Sequence, residues 1–277
     1  MRTAGTNCDA ELVRAFTLAG CAVDLLHVDR LAADPTPIDR ADVIGFPGGF
    51  SYGDDIASGR ILAARLRETV WGNLRDSAAR GTPMIGICNG FQVMVQLGLL
   101  PGPEKGDSWG SGRIEPTVAL AANAGGRFID RWVGVAPASD SGGASCIWTS
   151  GLADGLASGA YDETTMMLPI AHGEGRFVAK DDAVLASLES GGRIALRYTE
   201  PVNGSAGDIA GICDASGRLF GLMPHPERYL DWNRHPAWTR LEGSVRGGEG
   251  PMTPGRVLFE SALRAVVGSG AAVSQGA

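Results

Sequence analysis

Several features that mark whole classes of protein are scarce in this sequence. Only two of its 24 basic side chains are lysines, Lys105 and Lys180, and 31 acidic side chains give a formal net charge of −7. A phosphate-backbone binder needs a positive field, so nucleic acid is not an expected partner. The loop pattern G-x-x-x-x-G-K-[ST] is missing, and we expect no nucleotide cofactor and no metal in this chain.

Cysteine is also infrequent, and its spacing is irregular. The five are Cys8, Cys21, Cys88, Cys146 and Cys213. Without a Cys-x-x-Cys pair they predict neither a zinc ribbon nor a disulfide scaffold. Asp9 and Glu11 interrupt the stretch where a secretory signal would be basic and then apolar, so the expected location is cytoplasmic.

Long apolar runs are lacking as well, with one exception. Residues 81–103 carry no formal charge and are long enough for a membrane span. Asn89, Gln92, Gln96 and several glycines and prolines interrupt this run. It therefore predicts a buried strand followed by a buried helix, and no membrane segment is expected.

What the chain does have is an alternation of helical and strand-like patterns. Helical spacing covers 11–18, 56–79 and 92–97, and strand-like runs cover 22–28, 42–46 and 83–87. This order predicts an α/β fold with a mostly parallel sheet flanked by helices. Because such a unit normally opens with a strand, a first strand is expected to be missing from the sequence given. The alternatives are an upstream start codon and a looped N-terminus.

Beyond residue 101 the pattern changes to short strand-like runs separated by Gly, Ser and Asp clusters. The runs are 113–120, 128–135, 166–170, 193–198, 209–213 and 219–223. They predict β-hairpins appended to the same sheet. A final helix is predicted over 256–267 and a disordered tail over 268–277. Residues 1–267 thus read as a single domain, with a Gly- and Trp-rich segment at 229–255.

The most informative motif surrounds Cys88. Gly86-Ile87-Cys88-Asn89-Gly90 places G-x-C-x-G between the predicted strand and helix, the spacing of a nucleophile elbow. The two glycines allow backbone to approach backbone, and the helix N-terminus favours a thiolate. The alternative is a small buried core residue. Cys213 ends the same tripeptide, Gly211-Ile212-Cys213, but a turn and not a helix follows it, so we interpret Cys213 as structural.

A base for this thiol is expected at His225. It lies in Met223-Pro224-His225-Pro226-Glu227-Arg228, where the prolines stiffen the loop and Glu227 is near enough to hold the imidazole in one tautomer. Cys88, His225 and Glu227 together have the composition of a catalytic triad. The alternative for His225 is a loop histidine bonded to backbone.

Two glycine-containing turns supply the remaining candidate site residues. Pro47-Gly48-Gly49 follows a parallel strand, so the N–H groups of Gly49 and Asn89 are candidate oxyanion donors, although a Gly-Gly turn without function is the alternative. His172-Gly173-Glu174-Gly175-Arg176 is a candidate substrate-contact turn, with an ordinary hairpin as its alternative.

These residues resemble a known family. The segments around Cys88 and His225 are similar to class I, triad-type glutamine amidotransferases. The segments 5–9, 47–54, 171–176 and 203–205 resemble more narrowly the glutaminase components of phosphoribosylformylglycinamidine synthases. The resemblance spans residues 3–228 and implies a flavodoxin-like fold.

The resemblance also implies a chemistry. Cys88 would attack the side-chain amide of glutamine, His225 would shuttle the proton and Glu227 would orient it, with Gly49 and Asn89 as oxyanion donors. Gln92, His172, Glu174 and Arg176 would contact substrate. Ammonia would pass to a large synthetase subunit, which uses ATP and Mg²⁺ to convert formylglycinamide ribonucleotide to its amidine in purine synthesis. A small third subunit often accompanies it, and Trp232 and Trp238 are expected to help dock the synthetase.

Three other functions remain open from the residues alone. One is a glutaminase that serves a different ATP-dependent synthetase. Another is a stand-alone thiol hydrolase or esterase, which predicts turnover without a partner and no preference for glutamine. The third is a catalytically silent binding subunit.

Overall fold

A computed structural model describes residues 1–110, 112, 115–138 and 146–274, with side chains to residue 268. The helices are α1 (Asp9–Leu18), α2 (Val28–Ala33), α3 (Thr36–Arg40), α4 (Arg60–Thr69), α5 (Trp71–Ala79), α6 (Asn89–Leu97), α7 (Ser150–Ala157), α8 (Asp182–Ser190), α9 (Gly243–Arg246) and α10 (Pro254–Ser274). The strands are β1 (Ile44–Phe46), β2 (Met84–Ile87), β3 (Val118–Ala121), β4 (Ile129–Pro137), β5 (Met167–His172), β6 (Arg176–Ala179), β7 (Ile194–Tyr198), β8 (Ile209–Cys213) and β9 (Leu219–Leu222).

Seven strands form one mixed sheet in the order β1-β2-β9-β8-β7-β4-β5. Pairing is parallel from β1 to β2 to β9 and antiparallel from β9 onward to β5. The α/β class is confirmed, but the sheet is mixed, whereas the sequence predicted a mostly parallel one. β3 and β6 pair separately as a two-stranded antiparallel sheet.

The uncharged run at residues 81–103 folds as the sequence predicted. Every residue of β2 is buried, and α6 follows it with only Gln96 incompletely buried. Among the described residues, no helix combines the length and the apolar character that a membrane crossing requires.

Residues 22–28, predicted as a strand, do not form one. Their only ladder contact in the described structure is a parallel bridge between His27 and Arg2, with Arg2 N–H donating to Leu26 O at 2.8 Å. A strand needs a neighbouring strand that accepts and donates hydrogen bonds along its length. Here the bridge pairs the segment with a single residue, Arg2. A cavity of about 670 Å³ lies between this segment and β1, and Cys88 is not among its lining residues.

The last helix runs further than predicted. α10 continues to Ser274, so the tail expected to be disordered over 268–277 is helical as far as that residue. Residues 275–277 lie outside the described part of the chain. The predicted helix over 56–79 is divided into α4 and α5 at Val70, whose backbone leaves the helical region with φ −134° and ψ 11°.

The turn from β2 into α6 is tightly packed backbone against backbone. A Cβ on Gly90 would lie 2.0 Å from the carbonyl oxygen of Phe46, and one on Gly86 would lie 2.7 Å from the carbonyl oxygen of Gly90. Only glycine fits at either position, as the elbow motif predicted. The end of β1 and the start of α6 are therefore in direct contact.

We expect Gly90→Ala to lower the free energy of unfolding by about 2 kcal/mol or more, because the obstructing atom belongs to the backbone of a sheet strand. Gly72→Ala is the matched control. That glycine lies in α5 with nothing within 4 Å of an added Cβ, so alanine should stabilise the helix by about 0.5–1 kcal/mol. Denaturant unfolding of both variants checks the pair, and equal stabilities would contradict the packing argument.

Candidate active site

Cys88 lies at the sharp bend between β2 and α6. Its backbone adopts φ 52° and ψ −109°, a conformation that L-residues rarely occupy and that often marks a functional position. Its N–H donates to Leu222 O at 2.8 Å, and its Sγ lies 3.8 Å from the carbonyl oxygen of Ala171. The nucleophile candidate is thus placed between the ends of β9 and β5.

His225 follows β9 and is held from both sides. Its backbone N–H donates to Pro169 O at 2.8 Å, and Nδ1 lies 2.6 Å from Oε1 of Glu227. Both side chains are buried. Because a carboxylate only accepts, Nδ1 carries the proton in this pair, and Nε2 faces the interior with no hydrogen-bond partner among the described residues.

The electrostatics of His225 favour its charged form. Burial alone would lower the pKa of His225, but the Glu227 carboxylate and then the Cys88 sulfur oppose burial, and the net pKa is raised well above 6.5. A positively charged imidazole beside the Cys88 sulfur is the state that this arrangement stabilises.

A second cysteine, Cys8, lies at the same imidazole. Its Sγ is 3.8 Å from His225 Nδ1 and accepts a hydrogen bond from Arg228 Nη2 at 3.0 Å. Sequence patterns predict no role for Cys8, since it lacks an elbow. The signal that marks it is its place in the segment 5–9, which carries part of the family resemblance.

Cys8, His225 and Glu227 also offer three ligand atoms within 4.8 Å of one another. Cys, His and Glu are ligands that zinc accepts. Here Nδ1 and Oε1 are already hydrogen-bonded to each other, and the guanidinium of Arg228 covers the sulfur. These contacts are those of a hydrogen-bonded cluster that fixes the imidazole.

The predicted oxyanion donors lie in two different turns. Asn89 is the first residue of α6, where an N–H has no intrahelical acceptor. Gly49 adopts φ +136° in the turn after β1, and a Cβ on the preceding Gly48 would come within 2.8 Å of His225 Cε1. The turn therefore abuts the imidazole, and the oxyanion role of both N–H groups stays a prediction.

Two of the predicted substrate-contact residues join the elbow through a polar network. Asn89 Nδ2 donates to Gln92 Oε1 at 3.0 Å and to Asp54 Oδ1 at 3.2 Å, and Gln92 Nε2 donates to the carbonyl oxygen of Glu174. The Glu174 carboxylate accepts the N–H of Ser58 at 3.1 Å. Burial raises the pKa of Asp54, opposed by hydrogen bonds from the Ser58 side chain, the Gly59 N–H and the Asn89 side chain and assisted by the charge of Glu174.

His172, the third, is buried at the end of β5. Its Nδ1 lies 3.1 Å from Asn123 Oδ1, and its Nε2 has no partner among the described residues. Burial, and after it the charge of His225, lowers the pKa of His172 to about 4. Tyr198 has a buried hydroxyl that is likewise unpartnered, and burial and the charge of Cys88 raise its pKa. Sequence patterns mark neither Tyr198 nor Asn123.

Some predicted residues lie apart from this cluster. Arg176 donates to Ala122 O at 2.9 Å on the two-stranded sheet. Cys213 ends β8 in a hairpin, consistent with a structural role. Trp232 is only 9% exposed and donates to Pro251 O, so it packs inside the chain and offers little surface for docking a synthetase, contrary to expectation. Trp238 is half-buried, and its role in docking stays a prediction.

Comparison with known proteins agrees with this geometry. The profile of the CobB/CobQ-like glutamine amidotransferase domain matches residues 1–265. Phosphoribosylformylglycinamidine synthase subunit PurQ of Dehalococcoides mccartyi is 37% identical over 256 residues, covering 90% of this chain and 91% of that protein. The protein of the same name from Corynebacterium jeikeium is 36% identical over 266 residues, covering 95% of each.

Solved structures are similar as well. The structure of PurLQS from Thermotoga maritima matches with a TM-score of 0.66 and 31% identity over 96% of each chain. A GMP synthase-like protein from Thermoplasma acidophilum matches with a TM-score of 0.52 at 12% identity, covering 98% of this chain and 94% of that one, a likeness of fold alone.

The lowered pKa of His172 predicts that the folded protein becomes less stable in acid. Between pH 6.5 and 4 the unfolded chain binds a proton at this residue that the folded chain does not, so stability is lost as the pH falls. The loss approaches about 1.4 kcal/mol per pH unit. Urea unfolding across this window should give a shallower pH dependence for His172→Gln than for wild type, whereas parallel curves would contradict the assignment.

Proposed function

The chain belongs to the family of CobB/CobQ-like glutamine amidotransferase domains, and we propose that it is the glutaminase subunit of a phosphoribosylformylglycinamidine synthase. The observation that supports the chemistry best is the buried His225–Glu227 pair beside Cys88 on its strained elbow. The substrate class follows from the PurQ relatives, which this chain matches over most of its length.

The mechanism begins with charge already separated. Because the pKa of His225 is raised, the ready state pairs a Cys88 thiolate with the His225 imidazolium. The thiolate attacks the side-chain carbonyl of glutamine, and the N–H groups of Gly49 and Asn89 stabilise the oxyanion. His225 then gives its proton to the departing nitrogen, leaving a glutamyl thioester and ammonia. Water activated by neutral His225 hydrolyses the thioester to glutamate.

The released ammonia is used by a separate subunit. A large synthetase converts formylglycinamide ribonucleotide to its amidine, and ATP and Mg²⁺ are bound there. A small third subunit belongs to the same assembly, as the name of the Thermotoga maritima complex suggests. Residues 1–267 act as one amidotransferase domain, and we place it in the cytoplasm, since its five cysteines are free thiols.

Cys88→Ala should abolish glutamine-dependent amidine formation in the complex with the synthetase, while activity with added ammonium salt persists. The thiolate is the only group proposed to attack the amide. Cys21→Ala, a partly exposed cysteine lining the cavity beside β1, should behave as wild type.

The experiment measures ammonia release and amidine formation. Mass spectrometry then identifies the thiol that an electrophilic glutamine analogue labels. Unchanged ammonia release in Cys88→Ala, or stoichiometric labelling of a different thiol, overturns the nucleophile. Glutamine-independent turnover of simple esters without a partner would favour the stand-alone hydrolase.

Glu227→Gln should lower kcat/KM for glutamine about 100-fold or more, because the neutral amide neither stabilises the imidazolium nor fixes the Nδ1–H tautomer. The pKa of His225 should fall with it, so the basic limb of the pH–rate profile, where the imidazolium loses its proton, should shift to lower pH. A wild-type pH–rate profile in Glu227→Gln would show that Glu227 is not a member of the triad. Glu260→Gln, on α10 and paired with Arg256, is the matched control.

A further inference from the structure

The side chain of His172 is held in one tautomer. Asn123 Nδ2 donates to Arg127 O at 2.8 Å and to His172 O at 2.9 Å, which identifies the other amide atom as oxygen. Gly175 N–H donates to that oxygen at 3.4 Å. The oxygen accepts, so the ring nitrogen facing it, Nδ1 of His172, must carry hydrogen. A neutral imidazole then presents a bare lone pair at Nε2.

The ring is also fixed in place. A Cβ on Gly175 would lie 2.3 Å from His172 Nδ1 and 2.4 Å from its Cε1, so the glycine packs directly on the imidazole. His172 is 3% exposed, and its Nε2 is buried with no hydrogen-bond partner among the described residues. A buried acceptor without a donor is costly, which indicates that a ligand supplies the donor.

His172 follows directly on a residue that contacts the nucleophile. The carbonyl oxygen of Ala171 lies 3.8 Å from Cys88 Sγ. The positive charge of His225 adds to the effect of burial in lowering the pKa of His172. The neighbourhood of Cys88 thus holds two buried imidazoles with unpartnered Nε2 atoms, His225 as a proton donor and His172 as an acceptor.

Resting on the function proposed above, we propose that His172 Nε2 accepts a hydrogen bond from the departing nitrogen of the scissile amide. The ligand is the –NH₂ group of the glutamine side chain, which becomes ammonia. His172 orients that nitrogen and does not itself transfer a proton.

The chemistry needs such an acceptor. In the tetrahedral intermediate the S–C bond has formed, and the nitrogen must turn its lone pair toward the His225 imidazolium. Its two N–H bonds then point elsewhere, and Nε2 of His172 accepts one of them. The proton moves from His225 to nitrogen, the C–N bond breaks, and NH₃ leaves still donating to His172. A protonated His172 would repel this nitrogen and the neighbouring imidazolium.

The test compares an amide with an ester in the complete complex with the synthetase. Glutamine and the γ-methyl ester of glutamate form the same thioester, but methanol offers no N–H to His172. His172→Asn keeps a donor near Asn123 and loses the atom at Nε2, whereas His172→Gln keeps an acceptor near Nε2 and loses the donor. Glutamate production gives kcat/KM for both substrates.

We expect His172→Asn to lower kcat/KM for glutamine about tenfold or more, with the value for the ester unchanged or raised. His172→Gln should retain more of the amide preference. Equal losses on both substrates in an active complex overturn the proposal and leave the glutaminase function intact. A wild-type complex that releases no ammonia from glutamine overturns the proposed function instead.

A second measurement does not depend on catalytic activity. In the wild-type complex at neutral pH, ¹⁵N shifts of the histidine side chains should show one histidine with Nδ1 protonated and Nε2 bare, and the His172→Gln spectrum assigns that signal. Finding His172 doubly protonated, or protonated at Nε2, overturns the proposal even if the variants are inactive.

Discussion

The contact between the backbone of Gly90 and the carbonyl oxygen of Phe46 is the constraint on which the site depends. Because no side chain fits there, the start of α6 approaches the end of β1, and the chain must reverse within the residues between β2 and α6. Cys88 absorbs that reversal at a positive φ. The turn after β1 follows immediately, so the same contact brings Gly48 against the imidazole of His225.

A polar network extends this local constraint across the molecule. Asn89 ties the first turn of α6 to Asp54, and Gln92 ties its next turn to the backbone at Glu174. The turn between β5 and β6, which follows directly on His172, is therefore attached to the helix that begins at the nucleophile. These bonds are shielded from water because Asn89 and Gln92 are almost fully buried. Such bonds fix geometry more firmly than exposed ones do.

How far the sequence predicted this site depended on the distance along the chain over which each signal acts. The elbow was predictable because two glycines and a cysteine within five residues carry its geometry. His225 and Glu227 were predictable because they are neighbours in a stiff loop. The contact of Cys8 with His225 joins residues 217 positions apart, and the contact of Asn123 with His172 joins residues 49 positions apart. No local sequence pattern predicts contacts over such separations. The strand expected at 22–28 failed for a related reason, since strand formation depends on a partner and not on the segment alone.

The two buried histidines show how one small site sets opposite protonation states without opposite exposure. Both are at most 3% exposed, so burial acts on them in the same direction, against the charged form. His225 gains a carboxylate at 2.6 Å and the Cys88 sulfur nearby, which reverse the effect of burial on its pKa. His172 has the neutral amide of Asn123 at its Nδ1, and the positive charge of His225 lowers the pKa of His172 in the same direction as burial does. A charged His225 therefore helps to keep His172 neutral. This separation gives the neighbourhood of Cys88 one charged and one neutral imidazole, which are the proton donor and the acceptor in the proposed departure of the amide nitrogen.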